Sequence, residues 1–157
     1  MFRVSYYELQ VDAKPRVKQK SSGVTICTGT GSTSWHFNIN KLTEQCVGDL
    51  LKIVEDEMEV KLPIQPESTR KLCKRFNDQL LFSPSDQRMA YTVRDPVYNA
   101  TFPPFAPRGF ASTITVKSRC FDAHLVIDGG MSYVFNDGSK AYLECLPEDA
   151  LRTVVFR

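Results

Sequence analysis

The apolar and polar positions divide the chain into a β-rich start, a helical middle and a second, longer β-rich stretch. Residues 3–11 (Arg-Val-Ser-Tyr-Tyr-Glu-Leu-Gln-Val) are dense in β-formers and predict a strand. Asp12-Ala13-Lys14-Pro15 is a turn, after which 16–20 returns as a second strand and 24–28 forms a third. The period then changes. A short helix is predicted over 33–38 and a longer one over 41–57, where Leu42, Cys46, Leu50 and Val54 repeat every four residues with Val47 and Leu51 beside them. Asn40 is the expected N-cap of that longer helix. Another helix is predicted near 66–79, with Pro66 at its first position and Leu72, Cys73, Phe76 and Leu80 as its apolar residues.

Strands resume at 89–94. Residues 95–110 carry Pro96, Pro103, Pro104 and Pro107 and predict an irregular loop, pinned to the body by Phe102, Phe105 and Phe110. Strands are then expected at 112–119, 123–128, 131–136, 139–146 and 152–156, with Asp128-Gly129 and Asn136-Asp137-Gly138 as hairpin corners. The fold class is therefore mainly β (α+β), with two or three helices inserted after the third strand. No internal repeat or low-complexity tract interrupts it.

Composition narrows the function classes. The chain has 157 residues, 42% hydrophobic and 24% charged, as suits one soluble domain. A net charge of +2 is too small to argue for nucleic acid. The one local basic cluster, Arg70, Lys71, Lys74 and Arg75, reads as a solvated helix face. No apolar run approaches the roughly 18 residues of a membrane span. Residues 1–20 have no targeting pattern. Five cysteines, none in Cys-x-x-Cys spacing, favour free thiols over disulfides or a zinc site, with Cys27 and Cys46 expected in the core. His36 and His124 lack ligand-like neighbours and are expected as surface or half-buried imidazoles. No metal ligands are assigned.

The candidate chemistry lies in Thr28-Gly29-Thr30-Gly31-Ser32-Thr33-Ser34-Trp35. A strand running into a Gly/Ser/Thr turn that opens a helix offers backbone N–H groups and hydroxyls at one point, which suits phosphate or ribose. Two glycines would let a ligand approach the backbone. No Lys follows the last Gly, so this is not a Walker loop, and the glycine spacing is not the dinucleotide fingerprint. A tight strand-to-helix turn with Ser32 or Thr33 as N-cap is the plainer alternative.

The same eight residues resemble the Thr-Pro-Thr-Gly-Ser-Thr-Ala-Tyr signature of NAD kinases, and most closely that of the divergent mitochondrial branch, which also carries Trp in the last position. Lys18-Gln19-Lys20-Ser21-Ser22-Gly23 precedes the turn as in that branch. Ser118-Arg119-Cys120-Phe121-Asp122-Ala123, Val126-Ile127-Asp128-Gly129-Gly130, Phe135-Asn136-Asp137-Gly138 and Glu148-Asp149-Ala150-Leu151-Arg152-Thr153-Val154 follow in order. The resemblance covers nearly the whole chain. It implies one domain over 1–157, the many-stranded, β-sandwich-like C-terminal, NAD-binding domain of the NAD kinase fold, with 41–88 as a branch-specific helical insertion.

That resemblance implies an enzyme that moves the γ-phosphate of ATP, or of polyphosphate in some members, to the adenosine 2′-hydroxyl of NAD, with Mg²⁺ or another divalent cation. Thr30 and Thr33 would donate hydrogen bonds to NAD. Ser34 stands where the family has Ala against a ring, Trp35 where it has a ring-contacting Tyr, and Asn38 where a residue contacts the adenine end. Lys20 aligns with a phosphate-directed basic residue. Ser22 replaces an Asp that reaches the NAD of a neighbouring subunit, and Asp128 matches an Asp near the cleft. The Gly-Gly-Asp-Gly-Thr motif, with its presumed base, and the Asn-Glu pair are not in this sequence. The expectation is therefore a fragment or truncated product, inactive alone, with no catalytic residue of its own. Its expected partners are NAD, ATP, an N-terminal α/β domain of the parent chain and a second copy in a homodimer. Neither nucleic acid nor membrane is expected. Its location would be mitochondrial by resemblance, otherwise cytoplasmic. The alternatives are a non-catalytic nucleotide-binding or dimerisation protein derived from such a kinase, or a lipid kinase of related architecture, against which the Thr-Gly-Ser-Thr-Ser-Trp turn argues.

Overall fold

The structure is a computed structural model and describes residues 4–62 and 64–150. Two antiparallel sheets hold the core between them. The first has the order β2-β1-β6-β9, from β1 (Ser5–Val11), β2 (Val17–Ser21), β6 (Thr113–Ser118) and β9 (Lys140–Glu144). The second has the order β3-β4-β5, from β3 (Gly23–Cys27), β4 (Met89–Arg94) and β5 (Arg108–Ala111). A separate hairpin pairs β7 (His124–Ile127) with β8 (Met131–Val134). The mainly β expectation holds, with three α-helices between β3 and β4.

Side chains alternate across a strand, so each central strand sends every second residue inward. Tyr7, Leu9 and Val11 of β1 meet Ile114 and Val116 of β6 through the register Leu9↔Val116 and Val11↔Ile114. Met89, Tyr91 and Val93 of β4 face them from the second sheet, with Ala111 of β5. Leu9 and Ile114 are fully buried at 0% exposure. Phe105 joins this core beside Tyr91, and Phe102 lies against Tyr6, so two of the three expected phenylalanine anchors fasten the proline-rich loop. Phe110 does not: it packs edge-on against Phe82 and under Arg88.

The prolines end at Pro107, and the chain then pairs with β4 (Met89↔Ala111 to Thr92↔Arg108). Residues 108–110 are therefore strand, where an irregular loop was expected, and the strand expected over 112–119 begins at Thr113. Gly109 lies under the Tyr91 ring, where an added Cβ would stand 3.0 Å from the phenol oxygen. The expected strand at 152–156 lies outside the described residues. The Asp128-Gly129 corner is as expected, with both residues at positive φ (49° and 70°).

The helices differ from expectation in detail. α1 is Trp35–Asn40, α2 is Glu44–Met58 and α3 is Pro66–Asp78, with Pro66 in the first turn. Asn40 does not cap α2. It ends α1, and Thr43 Oγ1 accepts the Cys46 N–H as the true N-cap. Asn77 Oδ1 accepts from the Leu42 N–H at 2.8 Å while Asn77 Nδ2 donates to the Leu42 carbonyl, locking α3 to the start of α2. Val47, Thr69 and Cys73 are buried in this helix pair. The expected inward stripe of α2 is rotated: Leu51 and Val54 are half-buried beside Val47, while Cys46 and Leu50 are exposed. Cys27 is half-buried, and the buried thiol is Cys73 instead of Cys46.

Candidate functional site

The inward residues of β4 are Met89, Tyr91 and Val93, so Ala90, Thr92 and Arg94 face the other way. The register places Arg108 of β5 beside Thr92 on that outer face. α1 packs across the same face of β3 and β4. Asn40 Nδ2 donates to Thr92 Oγ1 at 2.9 Å and to the His36 carbonyl at 2.8 Å, which fixes the helix end to the sheet. An open groove of about 800 Å³ lies between them, lined by Trp35, Asn38, Ile39 and Asn40 from the helix side. Thr92, Val93, Arg94, Asp95, Pro107 and Arg108 line the sheet side.

Trp35, the only tryptophan, is 65% exposed and presents its indole to the groove. Asn38 accepts from Lys41 Nζ and donates to the Ser34 carbonyl, so its amide is oriented at the helix surface. Arg94 and Asp95 form an ion pair at 3.4 Å. Arg108 stands over the Phe76 ring of α3, its guanidinium carbon 5.5 Å from the centroid. An indole face, amide donors and acceptors, and guanidinium groups in one groove are the equipment for a planar ring that carries a charged group.

His36 is buried against the edge of Phe82, deeper than the surface or half-buried position expected of it. Burial pushes its pKa below the ordinary imidazole value; a hydrogen bond from the imidazole to the Leu80 backbone opposes this, and the Arg108 charge adds to it. The imidazole is therefore a neutral packing group behind the groove. The described residues contain no cluster of three or more His, Cys, Asp or Glu that could hold a metal ion, so the groove's own side chains do not fit a protein-held divalent cation.

The Gly/Ser/Thr turn is closed by hydrogen bonds of its own. Thr30–Thr33 is a single 3-10 turn in which the Ser32 N–H bonds the Gly29 carbonyl and the Ser34 N–H bonds the Gly31 carbonyl. Ser32 is buried and its hydroxyl donates to the Gly29 carbonyl at 2.6 Å. Neither Ser32 nor Thr33 caps α1; Ser34 occupies that position and makes no side-chain cap bond. The glycines face protein rather than a ligand: a Cβ on Gly29 would fall 2.1 Å from the Ser83 carbonyl oxygen, and one on Gly31 would fall 3.1 Å from Cys27 Cβ.

Of the residues singled out in the sequence, Trp35 and Asn38 meet at the groove. Thr30, Thr33 and Ser34 are exposed on the turn leading into α1 but do not line it. Lys20 lies over the Tyr6 ring on β2. Ser22 is exposed, its N–H bonded to the Arg94 carbonyl. Asp128 sits at the β7–β8 corner. None of these three lines the groove. The residues missed were Asn40, Arg94, Asp95 and Arg108. Strand alternation from Thr92 to Arg94 was a signal for one of them; Arg108 was hidden in the proline-rich run.

No family model matches the chain. Mitochondrial NAD kinase 2 from Rattus norvegicus is 44% identical over 154 residues, covering 98% of this chain and 36% of that protein. The Homo sapiens protein of the same name is 44% identical over 154 residues, with 98% and 35% covered. The Xenopus tropicalis protein is 42% identical over 156 residues, with 99% and 36% covered. The chain spans about a third of the length of these curated relatives. Over almost its entire length, then, this chain is a relative of mitochondrial NAD kinase 2, corresponding to about a third of such a protein.

Proposed function

We propose that this chain is the NAD-holding part of an NAD kinase, which phosphorylates the adenosine 2′-hydroxyl of NAD with ATP to make NADP. One observation carries the reading: the segment that resembles the NAD kinase signature delivers its exposed aromatic residue, Trp35, and Asn38 to a groove large enough for a nucleotide. In this reading the Trp35 indole stacks on a ring of NAD and the Asn38 amide bonds its edge. In the same reading the exposed hydroxyls of Thr30, Thr33 and Ser34, on the turn before α1, bond parts of NAD that extend beyond the groove.

Phosphoryl transfer depends on positioning and charge stabilisation, together with a group that orients the attacking hydroxyl. The groove's one carboxylate, Asp95, is paired with Arg94, and His36 is buried behind the wall. We therefore assign the base and the ATP site to the remainder of a parent enzyme, an N-terminal α/β domain, and the divalent ion to the ATP phosphates. A mitochondrial location accompanies this reading, since the relatives carry that word in their names. So does a homodimer, which light scattering on the purified chain tests.

Calorimetric titration of the chain with NAD tests the binding claim. NAD is expected to bind, and Trp35→Ala to weaken it by about tenfold, as loss of one stacked aromatic ring should. Equal affinity in the variant would remove Trp35 from the site.

A further inference from the structure

We propose that Arg108 is the anion-binding group of the groove, taking a phosphate or pyrophosphate, and that Phe76 of α3 is the positioning residue that holds it there. The inference deepens the nucleotide reading and rests on it. Strand register puts Arg108 on the groove face beside Thr92. Arg16, Arg70, Arg88, Arg94 and Arg119 each have a carboxylate within ion-pair distance. Among the described residues Arg75 and Arg108 have none and form no side-chain hydrogen bond, and of these two only Arg108 lines the groove. Its one side-chain partner of that kind is the Phe76 ring.

That arrangement fits anion capture. A guanidinium over an aromatic ring is held through its face, while its N–H donors lie in its plane and stay free to fork onto two oxygens. Arg94, already neutralised by Asp95, offers less. Trp35 and Arg108 line the same groove, one from the helix and one from the sheet, so a ring and a phosphate group of one ligand can be held together. His36, kept neutral by its burial, adds no second charge beside Arg108. The inserted helix α3, far from the turn in sequence, thereby contributes to the groove without touching the ligand.

Calorimetry on the 157-residue chain tests this with three probes: NAD, inorganic pyrophosphate and adenosine. Arg108→Gln should weaken NAD and pyrophosphate by about tenfold or more and leave adenosine unchanged, the loss expected of a charge-assisted bidentate contact. Phe76→Leu should weaken NAD and pyrophosphate by about two- to fivefold, and Phe76→Tyr, which keeps the ring, should restore both. Thermal melts of each variant check that the fold is intact. NAD binding that ignores Arg108→Gln overturns this inference and leaves the nucleotide reading standing. Pyrophosphate binding that depends on Arg108, in a chain that does not bind NAD, supports the anion site and overturns the nucleotide reading. A chain that binds neither overturns both. Equal loss in Phe76→Leu and Phe76→Tyr, or none in either, removes Phe76 from its positioning role.

Discussion

Replacing Gly29 with alanine separates two roles for the glycine-rich turn. The backbone at Gly29 is right-handed helical (φ −55°, ψ −38°), so alanine meets no conformational objection. On that ground alone it should stabilise by about 0.4–1 kcal/mol, by restricting the unfolded chain. The new Cβ, however, would lie 2.1 Å from the Ser83 carbonyl oxygen and 2.8 Å from Pro84 N, both backbone atoms with no rotamer to adjust. That carbonyl also accepts the Asp86 N–H at 3.0 Å, so moving it disturbs the 83–86 turn. Forcing a methyl into such a contact costs about 1–3 kcal/mol. The net loss should be about 1–2 kcal/mol, lowering Tm by about 2–8 °C for a chain of this size. Circular dichroism melts of wild type, Gly29→Ala and Gly31→Ala measure it. Gly31 is the milder case, because its Cβ would meet only the Cys27 side chain at 3.1 Å. An unchanged Tm for Gly29→Ala, accompanied by lost NAD affinity, would refute the packing argument and return the glycine to the ligand.

Other perturbations have defined outcomes. Leu9→Ala empties a fully buried site between the two sheets and should lower the unfolding free energy by about 2–5 kcal/mol in urea titrations; a shift below about 1 kcal/mol would contradict the core as described. Trp35→Ala removes an exposed ring and should move stability by less than about 0.5 kcal/mol, so its binding defect can be read without a folding defect. Arg119 Nε and Nη2 both donate to Glu8 Oε1, at 2.9 and 2.7 Å, and this pairing holds the Glu8 carboxyl below its ordinary pKa. A depressed carboxyl stabilises the fold above the unfolded value of about 4.3 and loses that contribution as pH falls through the folded value. Glu8→Gln should therefore lower the urea midpoint at pH 7 by more than at pH 3; the same deficit at both would contradict the linkage.

What was legible in the sequence follows from which signals are local. The β-forming runs gave β1, β2, β4 and the Asp128-Gly129 corner, because strand propensity and positive-φ turn residues act within a few positions. The existence of α2 and α3 was equally local. Which face of α2 turns inward was not: Leu50 and Val47 both fit a helical stripe, and only the Asn77–Leu42 lock and the α3 residues Thr69 and Cys73 select Val47. The packing role of Gly29 is not legible in the sequence because the backbone it meets, Ser83, is distant in the chain. Arg108 was invisible for the same reason. Its preceding prolines predict a loop, and only pairing with β4 brings it beside Thr92 and over Phe76. Trp35 and Asn38 were found by resemblance; the groove they share with Arg108 required the fold.

The most direct test of the central claim is an amide NMR titration of the isotopically labelled chain with NAD. The account predicts that the largest shifts fall on residues 35–40, 92–95 and 108, around the groove. Saturating NAD that shifts only the β7–β8 hairpin, or no resonance at all, would contradict it.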